Sequence, residues 1–60
     1  MSLGNQIYTL RSGLGLSQGA LAEKLGVSRQ AVSKWENDSA APELPKLLLL
    51  AEVLGVSVDR

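Results

Sequence analysis

The sequence predicts an all-α bundle of four short helices with the start of a truncated fifth. Three observations carry this reading. Apolar residues recur at i, i+3 and i+4, and no run alternates with period two, so strands are not expected. Serine stands ahead of two of the periodic segments, and glycine stands just past several of them. These are the caps and stops of short helices. The chain has 60 residues, 45% of them hydrophobic, which suits one compact domain, residues 1–60, and no more.

The elements follow in order. Residues 5–12 form a first helix, with Ile7 and Leu10 as an apolar stripe and Tyr8 at its margin. Ser12-Gly13-Leu14-Gly15 ends it. Residues 1–4 read either as a tag or disordered tail or as a native start. Ser17 caps the second helix, Gln18–Leu25, and Leu16 and Leu21 are placed to staple it. Gly19 weakens its first turn by up to ~1 kcal/mol relative to alanine. Ser28 caps the third helix, Arg29–Glu36, with Val27 and Val32 as its staple. Val32 and Trp35 face inward, and Trp35 reads as core rather than as a stacking platform. Residues 37–42 lack periodicity and form a loop. Pro45 fits the first turn of a fourth helix, and Leu44, Leu47, Leu50, Ala51 and Leu54 form its inward face. Gly55 stops that helix, and Val56-Ser57-Val58-Asp59 reads as the cap of a fifth. Leu48 and Leu49 lie off the inward stripe. Leu49 with Val53 is either ordinary exposed apolar surface or part of a contact surface.

Residues 18–37 organise the rest. Two helices of similar length are joined by Gly26-Val27-Ser28, with a sharp turn where positive φ is cheapest for glycine. Ala22 is small where the two helices must approach, and Leu21, Leu25, Val27, Val32 and Trp35 pack one across the other. This is the sequence form of a helix-turn-helix, whose second helix enters the major groove of DNA. Its outward face carries Arg29, Gln30, Ser33 and Lys34.

Composition narrows the alternatives. Cysteine and histidine are absent, so disulfides, thiolate zinc sites, a cysteine nucleophile and a serine-histidine pair are excluded. No metal site, cofactor or enzymatic activity is expected. The longest apolar run, residues 47–51, is far short of the roughly 20 residues that span a bilayer. No signal peptide is expected, and a cytoplasmic location is. Net charge is zero, so the placement of charge matters more than its sum.

The chain resembles the phage-repressor-like helix-turn-helix family, the XRE or Cro/cI type. The resemblance runs from about Ile7 to Arg60. It rests on Arg11 ahead of Gly-Leu-Ser-Gln, Leu21-Ala22, Leu25-Gly26-Val27-Ser28, Trp35-Glu36-Asn37, Pro42 with Leu44, Leu47 and Leu50, and Leu54-Gly55-Val56-Ser57-Val58-Asp59. It implies a lambda-repressor-like fold of five helices, the fifth beginning near Val58, and binding to double-stranded DNA, usually as a dimer. Three features depart from the family pattern: the chain stops where the fifth helix would start, Asp38 stands where many relatives carry glycine, and Gly19 replaces a good helix former.

The same resemblance assigns roles. Arg29, Gln30, Ser33 and Lys34 match positions that reach base edges, the alternative being a solvated polar face. Arginine and lysine suit guanine, and glutamine suits adenine. Gln18 and Asn37 match phosphate contacts, the alternatives being ordinary positions at helix ends. Arg11 and Glu36 match a structural ion pair between helices one and three. The implied function is sequence-specific binding of duplex DNA by a transcriptional regulator, in the first instance a repressor. An antitoxin or protein-interaction module on the same fold is the runner-up. The free chain is expected to be a monomer or a weak dimer that pairs detectably only on a palindromic site, with Leu49 and Val53 as candidate apolar contacts. The chain also reads as a fragment of a longer regulator.

Overall fold

The computed structural model describes residues 2–55. Among them are four helices and no strand: α1 (Leu3–Gly13), α2 (Gln18–Leu25), α3 (Arg29–Glu36) and α4 (Leu44–Leu54). The expected fifth helix near Val58 lies outside the described residues. Helices α2 and α3 have the limits that their caps predict. The Ser17 hydroxyl accepts from the Ala20 N–H at 3.0 Å, and the Ser28 hydroxyl accepts from the Ala31 N–H at 3.1 Å. Each satisfies one of the orphan donors of a first turn.

Helix α1 starts earlier than its apolar stripe suggests. Ser2 is its N-cap and accepts from the Asn5 N–H at 3.0 Å. Leu3 and Gly4 are helical and Gly4 is buried, so residues 2–4 are part of the fold rather than a disordered tail. The stripe misses this turn because the buried residue there is a glycine.

Helices α1, α2 and α3 end on the same motif. In each, the residue past the left-handed position donates back to the carbonyl five residues earlier: Leu16 to Arg11 at 3.1 Å, Val27 to Ala22 at 3.0 Å and Ser39 to Lys34 at 2.9 Å. Glycine takes the left-handed position twice, with Gly15 at φ 74° and Gly26 at φ 71°. At the end of α3 it is Asp38, at φ 63°.

The core joins Ile7 of α1, Leu21, Ala22 and Leu25 of α2, Val32 and Trp35 of α3, and Leu50 and Leu54 of α4. Leu21 and Val32 have no exposed surface, and Trp35 is 7% exposed. Burying each such side chain contributes about 1.5–3 kcal/mol, much of what stabilises a chain this short. Helix α3 packs on α2 and on α1, and α4 closes the core from the α2 side.

The inward face of α4 differs from the expected one. Leu50, Ala51 and Leu54 are buried, but Leu44 is 66% exposed. Leu49 and Val53 are half-buried against the core rather than turned outward. At about 100° per residue, Leu47, Leu50 and Leu54 centre the buried arc, and Leu44 falls at its margin beside Leu48. Tyr8 is likewise outside the core, exposed, with its ring 5.3 Å from the Arg11 guanidinium carbon.

Candidate nucleic-acid interface

Helix α3 is fixed on one side and open on the other. Val32 and Trp35 anchor it, while Arg29, Gln30 and Lys34 are exposed and Ser33 is half-buried. These four polar residues occupy an arc of about 140° on the helix, one continuous strip. Ser33 lies within that strip but offers only its hydroxyl edge. The stem of Arg29 runs over the first turn of α2. A methyl group on Gly19 would meet its Cδ at 3.8 Å, an ordinary contact.

The C-terminal end of α3 is braced through one carboxylate. Arg11 donates to Glu36 through Nε at 2.5 Å and through Nη2 at 3.1 Å. Its Nη1 donates to the Leu16 carbonyl at 2.7 Å. Gln18 donates to Glu36 through Nε2 at 3.0 Å. Side-chain exposure is 11% for Arg11 and 8% for Glu36, so this ion pair is not a surface bridge. Burial alone would raise the Glu36 carboxyl. The hydrogen bonds from Arg11 and Gln18, with the Arg11 charge, outweigh it and hold the carboxyl below its ordinary value. The same hydrogen bond raises the Arg11 guanidinium, against the opposing effect of burial. One acid therefore ties α1, the start of α2 and the end of α3 together. It also orients the carboxamide of Gln18, whose second N–H and whose place at the positive end of α2 suit an anion.

The turn after α3 holds Asn37 and Asp38, both exposed. Asn37 Oδ1 accepts from the Ser39 N–H at 3.0 Å, which leaves its amide N–H groups as the donors of that side chain. Asp38 Oδ1 accepts from the Gly4 N–H at 3.1 Å. Gly4 has no room for a side chain: a Cβ would lie 2.5 Å from the carbonyl oxygens of both Trp35 and Glu36. The positive end of α1 thus abuts the negative end of α3.

The structure therefore brings together Arg29, Gln30, Ser33 and Lys34 on one strip, with Gln18 at the start of α2 and Asn37 at the C-cap of α3. Arg11 and Glu36 lie behind it, as partners of each other. The Gly4–Asp38 contact, the Gln18–Glu36 bond and the bond from Lys46 Nζ to the Leu25 carbonyl at 2.9 Å escape sequence reasoning. None of the three leaves a local signal, although Ser2 is a residue type suited to the N-cap that starts α1 early.

Fold and face together define a helix-turn-helix domain with a braced second helix and a polar outer strip. The chain belongs to the helix-turn-helix family of phage-repressor type, and the helix-turn-helix family model matches residues 7–60. It is 37% identical to the HTH-type transcriptional activator BcrR of Enterococcus faecalis, over 98% of this chain and 29% of that protein. It is 37% identical to repressor protein C2 of Salmonella phage P22, over 95% of this chain and 26% of that protein. The crystal structure of the P22 c2 repressor protein in complex with a synthetic operator is similar, with a TM-score of 0.92 at 35% identity, covering 95% of this chain and 86% of that one. The chain thus spans little more than a quarter of these two curated relatives.

Proposed function

We propose that this chain binds double-stranded DNA in a sequence-specific manner, as the DNA-binding part of an XRE-type transcriptional regulator. The observation that carries the reading is the polar strip of α3, exposed on a helix braced from behind by α1 and α2. The likeness to the P22 c2 repressor, solved with a synthetic operator, supports it. Helix α3 enters the major groove. Arg29 and Lys34 are suited to guanine and Gln30 to adenine, with Ser33 as a shorter-range donor or acceptor. Gln18 and Asn37 clamp the phosphate backbone on either side. No catalytic step is involved. Among the described residues no helix is long and apolar enough to cross a membrane, and a cytoplasmic regulator is the fitting context.

One recognition helix reads too few base pairs to select a genomic site. A homodimer on a palindrome, with half-sites about 34–36 Å apart, resolves this. Blocking a promoter is the simplest consequence of such binding, so repression is the primary reading. The test begins with selection of bound duplexes from a random pool. Gln30→Ala then relaxes preference at one base pair, at a cost of roughly 1–3 kcal/mol there. Gln18→Ala weakens all sequences alike. Identical profile shapes for the two variants refute the division into reader and clamp, and no enriched motif at all refutes sequence-specific binding.

A further inference from the structure

Asp38 is the only non-glycine residue with positive φ among those described. The equivalent position after α1 and after α2 is glycine, which adopts that conformation without a Cβ penalty. Asp38 also places a negative charge in an exposed turn, beside Asn37 and at the negative end of α3. On both counts it is an unfavourable choice for a turn that faces DNA. The third observation accounts for it. Its Oδ1 holds the Gly4 N–H at 3.1 Å, where α1 crosses the last carbonyls of α3 too closely for any side chain. No glycine could supply that acceptor.

We propose that Asp38 is an affinity-limiting positioning residue of the DNA interface: its carboxylate clasps the start of α1 to the exit of α3 while its charge opposes the phosphate backbone. This rests on the DNA-binding reading above. The two roles separate because asparagine keeps the acceptor and tolerates the left-handed conformation but carries no charge. Alanine loses acceptor and charge together and is strained at this φ.

The experiment uses the 60-residue chain with a duplex enriched from a random pool. Amide exchange at Gly4 reads the clasp, and binding across a salt series reads the charge. Asp38→Asn is expected to keep Gly4 protected and to bind roughly three- to fivefold tighter at about 0.05 M salt, the gain vanishing by about 0.5 M. Asp38→Ala is expected to speed Gly4 exchange at least about tenfold, which Asp38→Asn does not. Gly4 exchange unchanged in Asp38→Ala overturns the clasp. Equal or weaker binding by Asp38→Asn at every salt concentration overturns the charge role, because a purely structural residue predicts no salt-dependent gain. Absence of any enriched duplex for the parent chain refutes the DNA-binding reading itself, and with it this proposal. Binding by the parent with no gain in Asp38→Asn refutes this proposal alone.

Discussion

Helices α3 and α4 make opposite use of apolar residues. Helix α3 has few, and Val32 and Trp35 are both buried. Helix α4 is leucine-rich, yet Leu44 and Leu48 remain 66% and 49% exposed. In α3 a sparse pattern leaves one geometric solution, because only one face can go inward. In α4 the apolar residues extend round much of the helix, so the pattern permits several orientations and packing chooses among them. The helix that carries the proposed interface is thus the one whose orientation is set more tightly by its own sequence.

Trp35→Ala strikes hardest at this arrangement. Truncating a large buried aromatic costs about 3–5 kcal/mol, and a chain of this size has little reserve. Most of the domain is expected to be unfolded at room temperature, read by helical circular dichroism through a thermal melt. A cooperative melt near that of the parent shows that α3 does not depend on this anchor.

The contrast also explains what was legible in the sequence. Helices α2 and α3 are read to the residue, because Ser17, Ser28 and Gly26 act locally and their geometry follows from residue type. The start of α1 is not, because Gly4 is buried for what it lacks, and hydrophobic periodicity cannot register a missing side chain. The rotation of α4 is misjudged at Leu44, Leu49 and Val53, because a broad apolar arc has no sharp centre. The polar strip of α3 is visible as a pattern. The bond that orients Gln18 is not, since it depends on where Glu36 sits in three dimensions.

A smaller effect is expected where α3 is tied to α1. Removing Arg11 as alanine leaves the Glu36 carboxylate nearly buried and without its cation. The cost lies between the ~0–1 kcal/mol of a surface bridge and the ~3–5 kcal/mol of a broken buried pair, nearer the latter. Because the folded Glu36 carboxyl lies below its ordinary value of 4.5, its contribution is present above that value. It is lost as pH falls through the depressed folded value. The gap between parent and Arg11→Ala should therefore narrow in acid, since a neutral Glu36 no longer needs a cation. Urea unfolding at neutral pH and well below 4.5 measures this. A gap of constant size shows that Arg11 stabilises through its packing and its bond to the Leu16 carbonyl rather than through the Glu36 charge.

The smallest effect belongs to the outer face of α4. Lysine matches leucine closely in helix propensity, and surface substitutions usually fall within about 0.5 kcal/mol of neutral. Leu48→Lys is thus expected to leave the melt almost unchanged, while Leu50→Ala, about half a turn round on the buried arc, costs about 2–5 kcal/mol. The pair isolates orientation from composition, since both remove a leucine from the same helix. If Leu48→Lys destabilises as strongly as Leu50→Ala, the helix is rotated from the orientation described, and Leu44 is then expected to be sensitive as well. If only Leu50 matters, the exposed leucines are free for contact with another copy. The double variant Leu44→Lys/Leu48→Lys then sharpens the test: unchanged stability with weaker paired binding on a palindromic duplex assigns the contact to this face of α4. Unchanged paired binding removes α4's outer face from any dimer contact.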